Sequence, residues 1–214
     1  GRQDDLLAAV DRFNADPAGD AYLIQHPAPP QFDFNAALGA MDPDKDGDGL
    51  HPVSLGKLVL QEDGPVPATP AGIQAMFVHY GIDVAGRNVV IVGRGPTLGR
   101  PLSLLLTLKR PGANAAVTVV HTGVPNMADY TRAADIVIAA VGSPSIVTPD
   151  MVRPGAIVVS GGVSWEGRRL LPDVDEAVGE VASWITPRLG GVGPTTVALL
   201  LRNTVEAAER ATSG

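Results

Sequence analysis

"VVIVGRGPTLGRPLSLLL", residues 89–106, is an apolar run that breaks into glycines and then becomes apolar again. Its first part has the β-branched composition of a buried strand, and its second part has the leucine spacing of a helix. Gly93, Gly95 and Gly99 allow a sharp turn and a close approach to the backbone. The free N–H groups and the dipole at a helix N-terminus favour a phosphate. The stretch therefore predicts either a dinucleotide-binding loop, with a less common G-x-G-x-x-x-G spacing, or a plain strand–turn–helix connection.

Strand and helix patterns alternate on both sides of this stretch. The strand-like runs are "NVVIV", "AVTVV", "DIVIAAV" and "AIVVS", and the helical patterns between them are "GRPLSLLLTLK" and "NMADYTRAA". Continuous Val/Ile runs separated by short helices indicate a parallel sheet covered on both faces, so the fold class is α/β. Before them, "AYLIQ" predicts a short buried strand, and Thr69 with Pro70 predicts the start of a helix. After them, "SWEGRRLLPDVDEAVG" predicts a loop and "PTTVALLLRNTVEAAERA" a last helix.

Composition narrows the function classes. The 214 residues are 45% hydrophobic and 18% charged, and no apolar run is long enough to span a bilayer. The net charge of −7 without a basic cluster argues against a nucleic-acid partner. There is no cysteine, which excludes disulfides and thiolate chemistry, and the four histidines lack a metal-binding spacing, so no metal site is predicted. These features fit a cytoplasmic protein.

The end of the second strand bears on the choice of cofactor. An NAD site usually carries Asp or Glu there to bind the ribose hydroxyls, but "AVTVV" is followed by His121, Thr122 and Gly123. Arg94, in the glycine loop, offers a guanidinium that a ribose phosphate can meet at two oxygens. The pattern favours NADP over NAD, with a solvated loop arginine as the alternative for Arg94.

Several further segments occur in the order of one known family over nearly the whole chain. They are "YLIQHPAPP", "PDKDGDGLHPVSLGKL", "PATPAGI", "VVIVGRGPTLGRP", "TVVHTG", "ADIVIAAVGSP", "MVRPGAIVVSGGVS" and "ITPRLGGVGPTTVALLLRNTVEAA". With them the chain resembles the bifunctional methylenetetrahydrofolate dehydrogenase/methenyltetrahydrofolate cyclohydrolase family. The resemblance implies a Rossmann-like parallel sheet domain at 68–192 that binds NADP. It also implies a partial N-terminal α/β folate domain at 1–67, joined by long helices, with the C-terminal helix 193–214 packing back on it. It further implies a homodimer.

The resemblance also implies site residues. Gln25 and Asp48 become the catalytic candidates in a pterin pocket, where Asp48 accepts hydrogen bonds from the pterin N–H groups; the alternative for Asp48 is an Asx-type turn. The implied substrate-binding residues are Gln25, His26, Pro27, Asp48, Gly190, Gly191, Val192 and Gly193. The implied cofactor-binding residues are Gly93, Arg94, Gly95, Gly99, Thr122, Val163 and Thr196.

The implied function is the NADP-dependent oxidation of methylenetetrahydrofolate to methenyltetrahydrofolate. The family's hydrolysis step relies on a Tyr-x-x-x-Lys pair, and none of Tyr22, Tyr80 and Tyr130 has a lysine four residues later. We therefore expect either a piece of a longer protein or a short form without cyclohydrolase activity. His26 is then either a substitute proton carrier or a loop histidine. The alternatives to the dehydrogenase are a non-catalytic paralogue that binds folate or nucleotide, and an oxidoreductase for another iminium-type substrate.

Overall fold

A computed structural model describes residues 1–167 and 169–213 of the chain. The chain divides into two compact units, Gly1–Ala68 together with Val197–Gly214, and Thr69–Thr196. The α-helices are α1 (Gln3–Ala15), α2 (Phe34–Ala40), α3 (Pro52–Leu60), α4 (Ala68–His79), α5 (Gly99–Thr107), α6 (Met127–Arg132) and α7 (Val192–Ser213). Among the described residues, no helix combines the length and the hydropathy that crossing a bilayer requires.

A five-stranded parallel sheet forms the centre of the second unit and confirms the predicted α/β class. Its strands are β1 (Asn88–Val92), β2 (Ala116–Val120), β3 (Ile136–Ala139), β4 (Ile157–Ser160) and β7 (Trp184–Ile185), in the spatial order β2-β1-β3-β4-β7. The register is regular, with Val92 opposite Val120 on one side and Ala139 on the other. All five strands run in the same direction, so their carboxyl ends meet at one edge.

Burial explains why these runs form strands. Every residue of β3 is buried, as are the last four residues of β1, because apolar side chains cover both faces of the sheet. One face packs on residues of α4 and α5, including Ile73, Phe77 and Leu102. The other face packs on Val147, Val152 and Val178, among others. Each fully buried Val, Leu, Ile or Phe contributes roughly 1.5–3 kcal/mol to folding.

The strand order reverses beside β1. From β1 the chain crosses to β2 on one side and returns to β3 on the other, so the connections leave the sheet in opposite directions. At such a reversal, the loops at the carboxyl ends of the strands part and leave a crevice where ligands of open α/β sheets bind. The glycine loop at 93–98 follows β1 directly and lies at this point.

Three local predictions are corrected. The stretch predicted as a loop contains an antiparallel hairpin of β5 (Val163–Glu166) and β6 (Arg169–Pro172), because cross-strand pairing outweighs the absence of a clear alternating pattern. Residues 21–25 form only an isolated bridge, Tyr22 to Asp46, rather than a strand. Helix α4 begins at Ala68, so Thr69 lies in its first turn and is not the N-cap.

The first unit has a smaller core of its own. Leu38, Met41 and Leu50 are buried against one another, and the partly buried Tyr22, Ile24 and Phe34 pack around them. This core lies beneath the polar turn that follows α2. The turn contains a 3-10 helix, Pro43–Lys45, and leads into α3.

A buried carboxylate organises the loop that follows β3. Asp173 is fully buried; its Oδ2 accepts the N–H groups of Val141 and Gly142 at 2.7 and 2.9 Å, and its Oδ1 accepts that of Ser143 at 2.8 Å. A Cβ at Gly162 would overlap the same carboxylate, so glycine is required there. Asp173 therefore ties the segments after β3 and β4 together at the ligand-binding edge of the sheet.

Replacing this carboxylate should destabilise the protein more than replacing an exposed one. We expect Asp173→Ala to lower the free energy of unfolding by about 3 kcal/mol, because three partly buried N–H groups lose a fully buried charged acceptor. Urea denaturation measures the change. The matched control is Asp129→Ala, an exposed aspartate whose nearest ion-pair distance is 3.9 Å, which we expect to change stability by less than about 0.5 kcal/mol. Equal effects of the two substitutions would contradict the role assigned to Asp173.

Candidate active site

The glycine loop is built by close backbone contacts. Gly93 has φ +125° and donates its N–H to the carbonyl oxygen of Val120 at 2.8 Å. A Cβ at Gly93 would overlap the carbonyl oxygen of Ala140, and a Cβ at Gly99 would overlap that of Gly93. The end of β1, the end of β3 and the start of α5 therefore meet at backbone distance. No larger residue fits at Gly93 or Gly99 without moving the main chain.

The middle of the loop is open. A Cβ at Gly95 would meet no atom within 4 Å, and the side chain of Arg94 is exposed. Helix α5 begins just beyond, and its N-cap residue, Leu98, makes no side-chain capping hydrogen bond. Backbone N–H groups at the start of a helix attract anions when no side chain caps them. The loop thus fits a diphosphate, with room above Gly95 for it to approach.

The neighbouring strand end supplies the second part of this site. Val92 of β1 and Val120 of β2 are paired in the sheet. Arg94 and Thr122 each lie two residues beyond this pair. Thr122 is exposed, and His121 accepts the N–H of Gly123 at its Nδ1, 3.1 Å away, which shapes the turn after β2. No carboxylate occurs in 121–125. The edge therefore presents a cation and a hydroxyl where NAD-dependent proteins usually present an acidic residue.

A cavity of about 380 Å³ lies in the same unit, beyond the carboxyl end of β4. It brings together six of the sequence-predicted site residues, Val163, Gly190, Gly191, Val192, Gly193 and Thr196. The Thr196 hydroxyl donates to the carbonyl oxygen of Val192 at 3.0 Å and lies 3.2 Å from the hydroxyl of Thr69. The other predicted cofactor residues, Gly93, Arg94, Gly95, Gly99 and Thr122, do not line this cavity.

The remaining predicted residues belong to the first unit. Gln25, His26 and Pro27 are exposed, and the Gln25 Nε2 donates to the carbonyl oxygen of His26 at 2.9 Å. The His26 ring meets the Phe34 ring edge-on, with centroids 4.8 Å apart. His26 is thus positioned by an aromatic contact within its own unit.

The two carboxylates of the "DGDG" turn have different environments. Asp46 is buried and accepts hydrogen bonds from the N–H of Gly49, the N–H of His51 and the hydroxyl of Ser54, at 2.8–2.9 Å. Asp48 is only partly buried. Burial and then the negative charge of Asp46 raise the pKa of Asp48 to about 6, against the lowering effect of the Ala68 backbone N–H. Asp46 therefore shapes the turn, whereas the Ala68 backbone N–H is the hydrogen-bond donor that acts on the Asp48 carboxyl.

One residue to which the sequence analysis assigned no role supports this turn. Asn203, on α7, is buried, and its Nδ2 donates to the carbonyl oxygens of Gly47 and Val66, both at 3.1 Å. Gly47 directly precedes Asp48, and Val66 lies two residues before Ala68. The Ala68 N–H donates to the carbonyl oxygen of Asp48 at 3.1 Å. Asn203 and Asp173 escaped the sequence analysis because only their burial and their backbone partners reveal their roles.

The described residues contain no cluster of three or more His, Asp or Glu arranged to bind a metal ion. The functional groups available to the two sites are therefore backbone N–H groups, hydroxyls, an amide, carboxylates and guanidinium groups.

Comparison with known proteins agrees with this geometry. The family described as "Tetrahydrofolate dehydrogenase/cyclohydrolase, NAD(P)-binding domain" matches residues 67–212. Two similar relatives are the bifunctional protein FolD of Syntrophotalea carbinolica, 73% identical over 97% of this chain and 71% of its own length, and FolD 1 of Salinispora tropica, 59% identical over 99% and 69%.

Solved structures give the same result. A silkworm 5,10-methylenetetrahydrofolate dehydrogenase superposes with a TM-score of 0.94 at 36% identity, over 100% of this chain and 76% of that one. A Trypanosoma brucei methylenetetrahydrofolate dehydrogenase-cyclohydrolase, complexed with NADP cofactor and inhibitor, superposes with a TM-score of 0.92 at 35% identity, over 100% and 75%. The chain therefore belongs to the tetrahydrofolate dehydrogenase/cyclohydrolase family.

Proposed function

We propose that this chain is an NADP-dependent methylenetetrahydrofolate dehydrogenase, which oxidises the one-carbon bridge of the reduced folate to the methenyl level. The observation that carries the proposal is the open glycine loop at the strand reversal, in a chain 73% identical to a bifunctional FolD. This identity also disfavours the non-catalytic alternative.

The cofactor is NADP. The NADP-complexed relative from Trypanosoma brucei shares the fold over the whole chain, and the residues present here fit that cofactor. Backbone N–H groups of the loop and the start of α5 would bind its diphosphate, and Arg94 would bind the ribose phosphate. When bound, NADP supplies an acceptor for the hydride.

The cavity beyond β4 is proposed as the place where the reacting rings meet. Its volume of about 380 Å³ is within the usual range for small-molecule sites, about 300–1,000 Å³. Its wall combines glycine backbone at 190, 191 and 193 with the apolar Val163 and Val192. Such a wall lets planar rings approach the main chain, which favours a transfer that depends chiefly on contact between two rings.

Asp48 and Gln25 are proposed to bind the pterin. An ionised carboxylate is an acceptor only, so Asp48 complements the amino and ring N–H groups of a reduced pterin. His26 and Pro27, in the same unit as Gln25 and Asp48, would contact the same ligand. The supporting observation is that Asp46 makes the structural hydrogen bonds of the turn, which leaves Asp48 available for a ligand.

The hydrolysis step is not assigned to these residues. The Tyr-x-x-x-Lys pair on which it relies does not occur in the 214 residues, so the proposal covers the dehydrogenase step. A homodimer, a cytoplasmic location and the absence of nucleic-acid and membrane partners stay predictions. Light scattering of the purified chain tests the dimer.

Incubation of the purified chain with methylenetetrahydrofolate and NADP tests the function. We expect the absorbance of NADPH and of the methenyl product to rise, and to rise more slowly when NAD replaces NADP. A folded protein that gives no absorbance change would contradict the proposal.

A substitution in the open part of the loop separates cofactor binding from folding. Because a methyl group at Gly95 meets no atom within 4 Å, we expect Gly95→Ala to leave the free energy of unfolding within about 0.5 kcal/mol of the wild type. The methyl group occupies the space of the diphosphate, so we expect the KM for NADP to rise about tenfold or more. The matched control, Gly39→Ala in α2, also has no atom within 4 Å and should leave the KM unchanged. An unchanged KM in Gly95→Ala would contradict the loop's assignment.

Because the pKa of Asp48 is raised, we expect a substitution there to move stability and binding in opposite directions. The folded-state pKa of about 6 lies above the unfolded value of 3.8, so ionised Asp48 lowers stability, increasingly from pH 4 to 6 and fully above that. We expect Asp48→Asn to raise the free energy of unfolding by about 2 kcal/mol at pH 7.5, with no gain below pH 4. The same variant should raise the KM for methylenetetrahydrofolate at least tenfold.

Urea titrations at several pH values and steady-state kinetics measure these two effects. In the wild type, the KM for the folate should also rise as pH falls through 6, because protonation removes the acceptor charge. Asp44→Asn, an exposed aspartate of the same turn, is the control and should alter neither quantity. A folate KM that Asp48→Asn leaves unchanged would remove Asp48 from the site.

A further inference from the structure

One cation lies in the wall of the cavity beyond β4, and none of the functions above uses it. Arg188 lines the cavity of about 380 Å³ beside Gly190–Gly193. Among the described residues that line it, Arg188 is the one charged side chain; the others are apolar residues, glycines and three hydroxyls. A lone positive charge in a largely apolar wall is electrostatically complementary to an anionic group of a ligand.

The contacts of Arg188 leave most of its hydrogen-bonding capacity available. Its Nε lies 3.1 Å from the Oε1 of Glu176, and its NH1 donates to the carbonyl oxygen of Leu170 at a long 3.5 Å. The guanidinium has five N–H groups, so the face formed by its two terminal nitrogens can still bind two oxygens at once.

The ion pair with Glu176 is weak enough to yield to a ligand. The Arg188 and Glu176 side chains are 38% and 72% exposed, and exposed pairs of this kind contribute about 0–1 kcal/mol. The pair is also surrounded by space, because Arg188 and Glu176 both border two smaller cavities of about 210 and 180 Å³. Glu176 therefore leaves the guanidinium unsaturated at the cavity wall.

We propose that Arg188 is a specificity-determining residue that binds a carboxylate or phosphate group of a ligand in this cavity. The proposal rests on the proposed function, which supplies two ligands with such groups. The glutamate tail of a folate carries carboxylates, and the dinucleotide carries phosphates. Either ligand offers two oxygens on one centre, which matches the fork of the guanidinium.

Binding measurements on four variants test the proposal. The variants are Arg188→Gln, Arg188→Lys, Glu176→Gln and the control Arg110→Gln, an exposed arginine in the connection that enters β2 at the opposite edge of the sheet. Calorimetry with NADP, monoglutamyl tetrahydrofolate and tetraglutamyl tetrahydrofolate gives each Kd without turnover, and circular dichroism confirms folding.

We expect Arg188→Gln to weaken binding of one ligand class about tenfold. A loss confined to NADP assigns the phosphate. A loss for the folates that is larger with the tetraglutamyl tail assigns the carboxylates. Arg188→Lys, which keeps the charge and loses the fork, should lie in between. Glu176→Gln should bind equally or more tightly because it removes the competing carboxylate, and Arg110→Gln should match the wild type.

A purely structural role for the ion pair gives a different result. In that case Arg188→Gln and Glu176→Gln lower stability alike and leave all three Kd values unchanged, which would overturn the proposal. Failure of the proposed function is distinguishable from this. A chain that binds both ligands and oxidises no methylenetetrahydrofolate contradicts the dehydrogenase, whereas the Kd values still decide the role of Arg188.

Discussion

The backbone contact at the end of β1 is the constraint on which the cofactor site depends. Gly93 lies against the carbonyl group of Ala140, and Gly99 lies against that of Gly93, so three segments of main chain meet without side chains between them. This contact turns the chain from the sheet into α5 within a few residues and brings the uncapped start of the helix to the strand reversal. Because a reversal of strand order already opens a crevice, the fold and the loop together provide the backbone geometry on which the proposed diphosphate site rests.

The sheet could be predicted because its strands are buried on both faces. Full burial demands apolar residues at every position, and β1 and β3 therefore stand out as continuous Val/Ile runs. The hairpin of β5 and β6 carries no such signal, since a strand outside a buried sheet tolerates Ser, Glu and Arg. The opposite error arose at residues 21–25, where an apolar run forms one bridge and no ladder. In that segment neither burial nor strand pairing follows from the apolar composition, since Leu23 is 40% exposed.

The candidate site, which stays a prediction, could be located in the sequence only by its glycines and by the order of its motifs. Sequence placed the glycine loop and the wall at 190–193, because glycine marks positions where backbone must approach backbone or ligand. The choice of Asp48 came from the family resemblance, because residue type alone does not separate Asp46 from Asp48, two positions apart. Only the three hydrogen bonds to Asp46 distinguish the structural carboxylate from the available one. Arg188 has no sequence signal at all, because an arginine in a loop is usually solvated and only the cavity beside it suggests a ligand.

The environment of Asp48 joins stability to the proposed binding role. Partial burial and the neighbouring Asp46 make the ionised form of Asp48 unfavourable. Such a carboxylate gains more from the N–H donors of a ligand than a solvated carboxylate would, because the ligand relieves a charge that the free protein cannot neutralise. Two hydrogen bonds restrain the backbone of this turn: the Ala68 N–H donates to the carbonyl oxygen of Asp48, and the Asn203 Nδ2 donates to that of Gly47 beside it. The buried amide on α7 and the buried carboxylate of Asp46 thus fix the backbone from which the Asp48 side chain projects, and an unfavourable local arrangement persists only where the surrounding structure determines the conformation.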